Sequence, residues 1–338
     1  MLPRNFFDQT LNELQCMLHG KGKEAYRAGQ IYKWAYQKSV YDFSLMTNIS
    51  KSFRAELPQL LNFPLPKIKK RDQSQDGTQK FLIELGDNMT VESVLIPSEG
   101  RLTLCTSSEV GCNFGCNFCF TAKKLMKRRL TAGEIVAQYL LISNLLKKEE
   151  RISNIVFMGM GEPLDNPDGV FRAIEIFTCD QGIGFPRKKI TISTVGISRL
   201  IPKVTEARVG LTVSLNGVND TVRSRLMPIN KRWPITGLMD ACRRHTQISG
   251  DKVTLSYVII KGLTDSLQDA KELFLLTRHI PCKINIIPYN PFPGSPFERP
   301  SEERVMEFHK QLQDLGAQVL YRRSKGADIL AACGQLSG

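Results

Sequence analysis

From residue 154 to residue 290 the chain repeats one pattern, a short β-rich run that is almost wholly apolar followed by an amphipathic or polar stretch. The runs are NIVFMGM (154–160), KKITIST (188–194), VGLTVSLN (209–216), VTLSYVII (253–260) and KINIIPYN (283–290). Strands with one wet face alternate apolar and polar residues throughout; these runs are mostly apolar, which reads as a sheet covered on both faces. Helical patterns such as TAGEIVAQYLLISNLLKK (131–148) and SLQDAKELFLLTRHI (266–280) supply the cover. The pattern therefore predicts an α/β fold with a parallel sheet. With RLTLCTSS (101–108) it makes about six β/α units, too few for a closed eight-fold barrel and enough for a partial one.

Upstream the pattern is different. LNELQCML, AYRAGQIYKWAYQK and ISKSFRAELPQLL place apolar residues three and four apart, so residues 1–62 read as a small helical unit. FPLPK (63–67) and the basic KIKKR (67–71) mark a boundary. KFLIEL (80–85), TVESVLIP (90–97) and RLTLCTSS then read as a meander, an extension over 63–108 that leads into a barrel over 109–338.

Charge narrows the partners. Lys plus Arg number 46 against 33 Asp plus Glu, a surplus of +13. That fits a polyanion, most often nucleic acid, although solubility alone is the plainer reading. No apolar run approaches the roughly 20 residues that span a bilayer. MLPRNFFDQTLNELQ lacks the apolar core of a signal peptide, so a cytoplasmic address and no membrane partner are expected. Nine scattered cysteines in such a chain argue for thiols or metal ligands rather than a disulfide framework.

The polar candidates gather at one end of the strands, where parallel α/β folds assemble their ligand sites. CNFGCNFCF (112–120) follows the first strand and GEP (161–163) the second; Ser193 closes the third, SLN (214–216) the fourth, and Asn290 the last. Cys112, Cys116 and Cys119 form C-x3-C-x2-C. Thiolates suit zinc or an iron–sulfur cluster. A structural zinc needs a fourth ligand, and the four histidines (His19, His245, His279 and His309) are all distant in sequence. Three ligands on a four-iron cluster would leave one iron open to a small molecule. An unliganded turn with buried thiols is the bland alternative.

With an aromatic residue, Phe118, before its last cysteine, the loop resembles the signature of radical S-adenosylmethionine enzymes. The wider resemblance is to the RlmN/Cfr family of RNA methyltransferases, and to its RlmN side. It is carried by YRAGQIYKWAYQKSVYDFSLMTNISK, VESVLIP, LCTSSEVGC, FMGMGEPLDN, ITISTVGI, LMPIN, YNPFPGSP and ADILAACGQL. These segments extend over almost the whole chain.

The resemblance implies a partial (β/α)6 TIM-type radical SAM barrel with a helical, RNA-binding accessory domain. Cys112, Cys116 and Cys119 would bind a [4Fe–4S] cluster whose open iron takes S-adenosylmethionine, two molecules per turnover. Gly161, Glu162, Ser193, Ser214, Leu215, Asn216 and Asn290 match S-adenosylmethionine positions. Cys333 matches the cysteine that carries the methyl group, Cys105 its resolving partner in a disulfide, and Glu92 the proton acceptor. The implied reaction methylates carbon 2 of an adenosine in 23S ribosomal RNA, with transfer RNA as a further substrate. Carbon 2 is electron-poor and cannot attack a sulfonium methyl, so the family methylates a cysteine and makes that methyl a radical. The radical adds to the base, and the resulting protein–RNA adduct is released by the second cysteine. An electron donor such as flavodoxin or ferredoxin, and a monomer, are expected.

Where the family usually reads Ser-Leu-His, this chain has Ser214-Leu215-Asn216, and Asn lacks the reach and ionisation of imidazole. A paralogue with another RNA target, a Cfr-like carbon-8 methyltransferase, and a zinc-stabilised RNA-binding module are the competing readings. Alone, Cys105 would read as a small buried hydrophobe, Cys333 as incidental and Glu92 as a solvated strand residue. Cys16, Cys179, Cys242 and Cys282 read as structural. KKLMKRR (123–129) is either a solvated face or a holder of RNA phosphates.

Overall fold

Ten strands hydrogen-bond into one sheet whose spatial order follows the chain. The structure is a computed structural model and describes residues 2–338. The strands are β1 (Lys67–Gln73), β2 (Gln79–Glu84), β3 (Thr90–Ser98), β4 (Arg101–Cys105), β5 (Asn154–Phe157), β6 (Ile190–Thr194), β7 (Gly210–Ser214), β8 (Val253–Ile259), β9 (Cys282–Pro288) and β10 (Val319–Tyr321). From β1 to β4 the pairing is antiparallel, the expected meander. From β4 to β10 it is parallel throughout. The meander and the parallel strands thus form one surface, and the sheet does not close on itself.

Two strands add to the sequence reading. KIKKR begins β1, an edge strand whose residues are mostly exposed. Lysines on an exposed edge discourage pairing with another chain. The six β/α units run from β4 to the helix Glu302–Asp314, and β10 adds a seventh parallel strand after them. Only Val319 of β10 is buried, so it shows no apolar run.

Two of the helices that cover the sheet start at capping boxes. Thr131 and Glu134 form a capping box ahead of Ala132–Ser143, and Ser266 and Asp269 do the same ahead of Leu267–Thr277. Near the N-terminus, Phe6, Phe7, Tyr32, Tyr36 and Phe63 pack as an aromatic cluster with centroids 4.9–6.2 Å apart. This region docks on the barrel where Asp8 accepts from the Gly133 N–H at 2.6 Å and Glu13 pairs with Arg172. Gly133 lets these side chains approach closely, since a Cβ there would lie 2.7 Å from the Asn5 amide nitrogen and displace it. Among the described residues, no helix is long and apolar enough to cross a membrane.

Candidate active site

The cysteine loop leaves β4 through a two-residue ribbon, Glu109–Val110 paired with Arg128–Arg129. Gly111 lets the loop close at φ +83°, where a Cβ would lie 2.5 Å from the Leu125 carbonyl oxygen. The Cys119 N–H donates to the Cys116 carbonyl at 3.0 Å, and the Asn117 N–H donates to that of Leu226 at 2.9 Å. All three thiols face one cavity at the carboxyl ends of the parallel strands. Burial pushes Cys112 up to about 12 and raises Cys116 and Cys119 as well.

That cavity is also lined by Gly161, Glu162, Ser193, Ser214, Asn216, Asn290 and Cys333. Glu162 is buried, its carboxylate accepting from the N–H groups of Val195 at 2.8 Å and Leu164 at 3.1 Å. Burial lifts its pKa to about 7 despite those bonds. Below it Glu109 accepts from the Glu162 N–H at 2.9 Å, while its other oxygen has no partner. Burial, then the nearby Asp165 and Glu162, raise the Glu109 carboxyl above the usual range.

Leu215 and Asn216 differ in their surroundings. Leu215 is fully buried in the core and does not line the cavity. Asn216 sits at φ +51°, a left-handed conformation that Asn tolerates well, and its Oδ1 accepts from the Val258 N–H at 2.9 Å. The Asn in place of the family His is therefore built into the turn. The Asn290 amide nitrogen donates to the carbonyl of Cys333 at 3.2 Å, and its Oδ1 bonds Ser324.

Cys333 lies on the wall between this cavity and a second one. The second is lined by Cys105, Met158 and a group of cations, Arg101, Arg322, Arg323 and Lys325. Cys105 is buried, and burial, then the neighbouring Cys333, pushes its thiol up to about 12. The two cysteines, 228 positions apart in the sequence, thus share one chamber.

Glu92 lines neither cavity. It projects from β3 on the same face as Cys105, because Cys105 pairs with Val94, two residues along. Its carboxylate pairs with Lys80 at 3.2 Å and accepts from the Ser337 and Gly338 N–H groups at 2.7 and 3.1 Å. KKLMKRR is largely committed: Arg128 is clamped by Asp87 and Glu134, and Arg129 pairs with Asp165. Sequence reasoning passed over the cations of the second cavity, although YRRSK directly follows the last strand.

Three thiols in one loop at the carboxyl edge of a parallel sheet, with polar strand ends around them, define a radical S-adenosylmethionine enzyme. Residues 107–274 match the model of the radical SAM superfamily, and residues 4–62 match that of the ribosomal RNA large subunit methyltransferase N-terminal domain. The chain is 53% identical over 335 residues to the dual-specificity RNA methyltransferase RlmN of Bdellovibrio bacteriovorus, covering 99% of this chain and 84% of that one. The corresponding protein of Geotalea uraniireducens is 46% identical over 333 residues, 97% of this chain and 95% of that one. The fold matches the crystal structure of a radical SAM methyltransferase from Sphaerobacter thermophilus with a TM-score of 0.93, at 40% identity and 99% coverage of both chains. The chain belongs to the RlmN family of radical SAM methyltransferases.

The family's cofactors are a [4Fe–4S] cluster and S-adenosylmethionine, and the donor set fits them. Among the described residues no three Cys, His, Asp or Glu side chains converge as one metal ion requires. Thiolates that each bind a separate iron of a cluster need not converge so closely. Membership of the radical SAM methyltransferases sets aside the zinc-stabilised, non-catalytic module.

Proposed function

We propose that this chain methylates carbon 2 of an adenosine in 23S ribosomal RNA, and of an adenosine in transfer RNA, by way of a methyl group carried on Cys333. The observation that carries this reading is the place of Cys333 on the wall shared by two cavities, one holding the cluster cysteines and the other Cys105 and a cationic rim. Relatives named dual-specificity RNA methyltransferase RlmN support the substrate class. The match of residues 4–62 favours carbon 2 over the carbon-8 alternative.

In this reading Cys112, Cys116 and Cys119 hold the cluster, and Gly161, Glu162, Ser193, Ser214 and Asn216 surround S-adenosylmethionine. Bound together, the two cofactors supply hydrogen abstraction from an otherwise inert methyl group. Cys333 presents that methyl to the base, which enters through the second cavity while Arg101, Arg323 and Lys325 meet phosphates. Glu92 takes the proton from the adducted carbon; protonation ends its acceptance of one or both tail N–H bonds and lets the tail shift. The Cys105 thiolate then attacks the Cys333 sulfur and frees methylated RNA. We assign residues 1–62 as the RNA-binding accessory unit, 63–108 as the extension and 109–338 as the catalytic barrel. The protein acts in the cytoplasm as a monomer, with a small electron-carrier protein such as flavodoxin or ferredoxin as donor.

Mass spectrometry of RNA nucleosides from a strain lacking the gene tests the target. The expected result is loss of 2-methyladenosine from both 23S and transfer RNA, restored by the gene. Unchanged 2-methyladenosine, or loss of an 8-methyl product instead, would overturn the assignment.

A further inference from the structure

Release requires Cys105 to act as a thiolate, since the thiol is a poor nucleophile. Its surroundings oppose ionisation. Cys105 is buried on β4, next to Val94 of β3 and Val156 of β5. Burial pushes its thiol up, and the neighbouring Cys333 adds to that push. Something nearby must favour the anion at the moment of attack.

Arg322 is placed to do so. It follows β10 directly and is fixed by its N–H, which donates to the Ile286 carbonyl at 3.0 Å. It is the one cation that lines the first cavity, and it lines the second together with both cysteines. Its Nη1 faces only the Met158 sulfur, at 3.6 Å, and thioether sulfur is a weak acceptor. Among the described residues no carboxylate pairs with it, in contrast to Arg128, Arg129 and Arg172. A half-buried guanidinium with its donors unspent beside two thiols is set to face an anion.

We propose that Arg322 is a positioning residue for the release step, its guanidinium holding the Cys105 sulfur as the thiolate that attacks Cys333. The inference rests on the reading that Cys105 resolves an adduct on Cys333. In that step an electron pair of the Cys105 sulfur forms the S–S bond. The bond from the Cys333 sulfur to the methylene carbon breaks, its pair staying with that carbon, which takes a proton to become the methyl group. The Cys105 thiolate and the Cys333 thioether sulfur are thereby oxidised to a disulfide, and the carbon is reduced by the same two electrons.

The charge of Arg322 opposes the upward push that burial and Cys333 exert on Cys105. The other charged groups around Cys105 are differently placed. Arg101 and Glu99 lie toward the start of its own strand, at the rim of the second cavity, and Arg323 and Lys325 line only that cavity. Lys80 shares a register row with Val94 and Cys105 but is paired with Glu92.

The test uses the full-length enzyme and two variants, Arg322→Met and Arg322→Lys. The rate of Cys105 alkylation by iodoacetamide at pH 8 is followed by peptide mass spectrometry, and RNA-linked protein is followed through a turnover. Arg322→Met is expected to slow alkylation at least about tenfold, the effect of one unit in thiol pKa, and to slow adduct release at least about tenfold, with RNA affinity unchanged. Arg322→Lys should restore most of both. An unchanged alkylation rate, or weaker RNA binding with no retained adduct, would overturn the proposal. Cys105→Ala run alongside separates the two levels. If it traps RNA while Arg322→Met releases at the normal rate, the Arg322 proposal fails alone; if it traps none, the two-cysteine reading fails and the proposal with it.

Discussion

One residue outside the cavities holds much of the site in shape. Arg223 is fully buried, and its guanidinium donates to the carbonyls of Val195 at 2.7 Å, Leu215 at 3.0 Å and Ser214 at 3.3 Å, and to Asn230 Oδ1 at 2.8 Å. It therefore ties together the turns that follow β6 and β7, which carry Val195 and Ser214-Leu215-Asn216. The packing leaves no room at Gly217, where a Cβ would lie 2.8 Å from the Arg223 nitrogen. Burial lowers the pKa of Arg223 to about 10, so it remains charged at neutral pH. Arg223→Met would leave several backbone acceptors dry, a loss of about 3–5 kcal/mol. Urea unfolding of the variant should show a drop of that size, with Arg223→Lys recovering only part because an ammonium lacks the planar fork. A loss under about 1 kcal/mol would mean that water or a rearranged turn satisfies those carbonyls.

At the scale of elements, the segment that bears Cys333 is held by side chains rather than by a ladder. Gly326 donates to Asp76 at 3.0 Å, Ser74 donates to Asp328 at 2.6 Å, and Thr121 donates to the Leu336 carbonyl at 2.7 Å. Left-handed conformations at Gly326, Leu330 and Gly334 keep it irregular. Such a segment can lift while the sheet stays intact. Glu92→Ala should therefore speed amide exchange at Ser337 and Gly338 by at least about tenfold and leave the sheet amides unchanged; equal protection in the variant would show that Glu92 does not hold the tail. The parallel strands were legible in the sequence because strands buried on both faces must be apolar. The polar ends of those strands were legible for the same topological reason. β1 and β10 were not, since edge strands bury few residues and carry no such signature. Nor was the engagement of Glu92, whose partners Ser337 and Gly338 lie 245 and 246 positions away. No local pattern encodes a contact of that kind, and the same holds for Arg322, whose meaning depends on two thiols distant in sequence.

For the molecule as a whole, the surplus of +13 divides into cations that the fold consumes and cations that it leaves at the mouth of a chamber. Arg128, Arg129 and Arg172 are spent on carboxylates, whereas Arg101, Arg323 and Lys325 surround the cavity that contains Cys105. That division draws a polyanion toward the chamber where the two cysteines meet. The central claim is that these cysteines take successive, different parts, and a denaturing gel of protein purified from cells, with and without ribonuclease, tests it directly. Cys105→Ala is expected to run as a ribonuclease-sensitive complex with RNA attached through Cys333, because the adduct forms and cannot be released. Cys333→Ala is expected to show neither complex nor methylated RNA, because the methyl group has no sulfur to occupy. Normal turnover by Cys105→Ala with no trapped RNA, or trapped RNA in Cys333→Ala, would contradict the account.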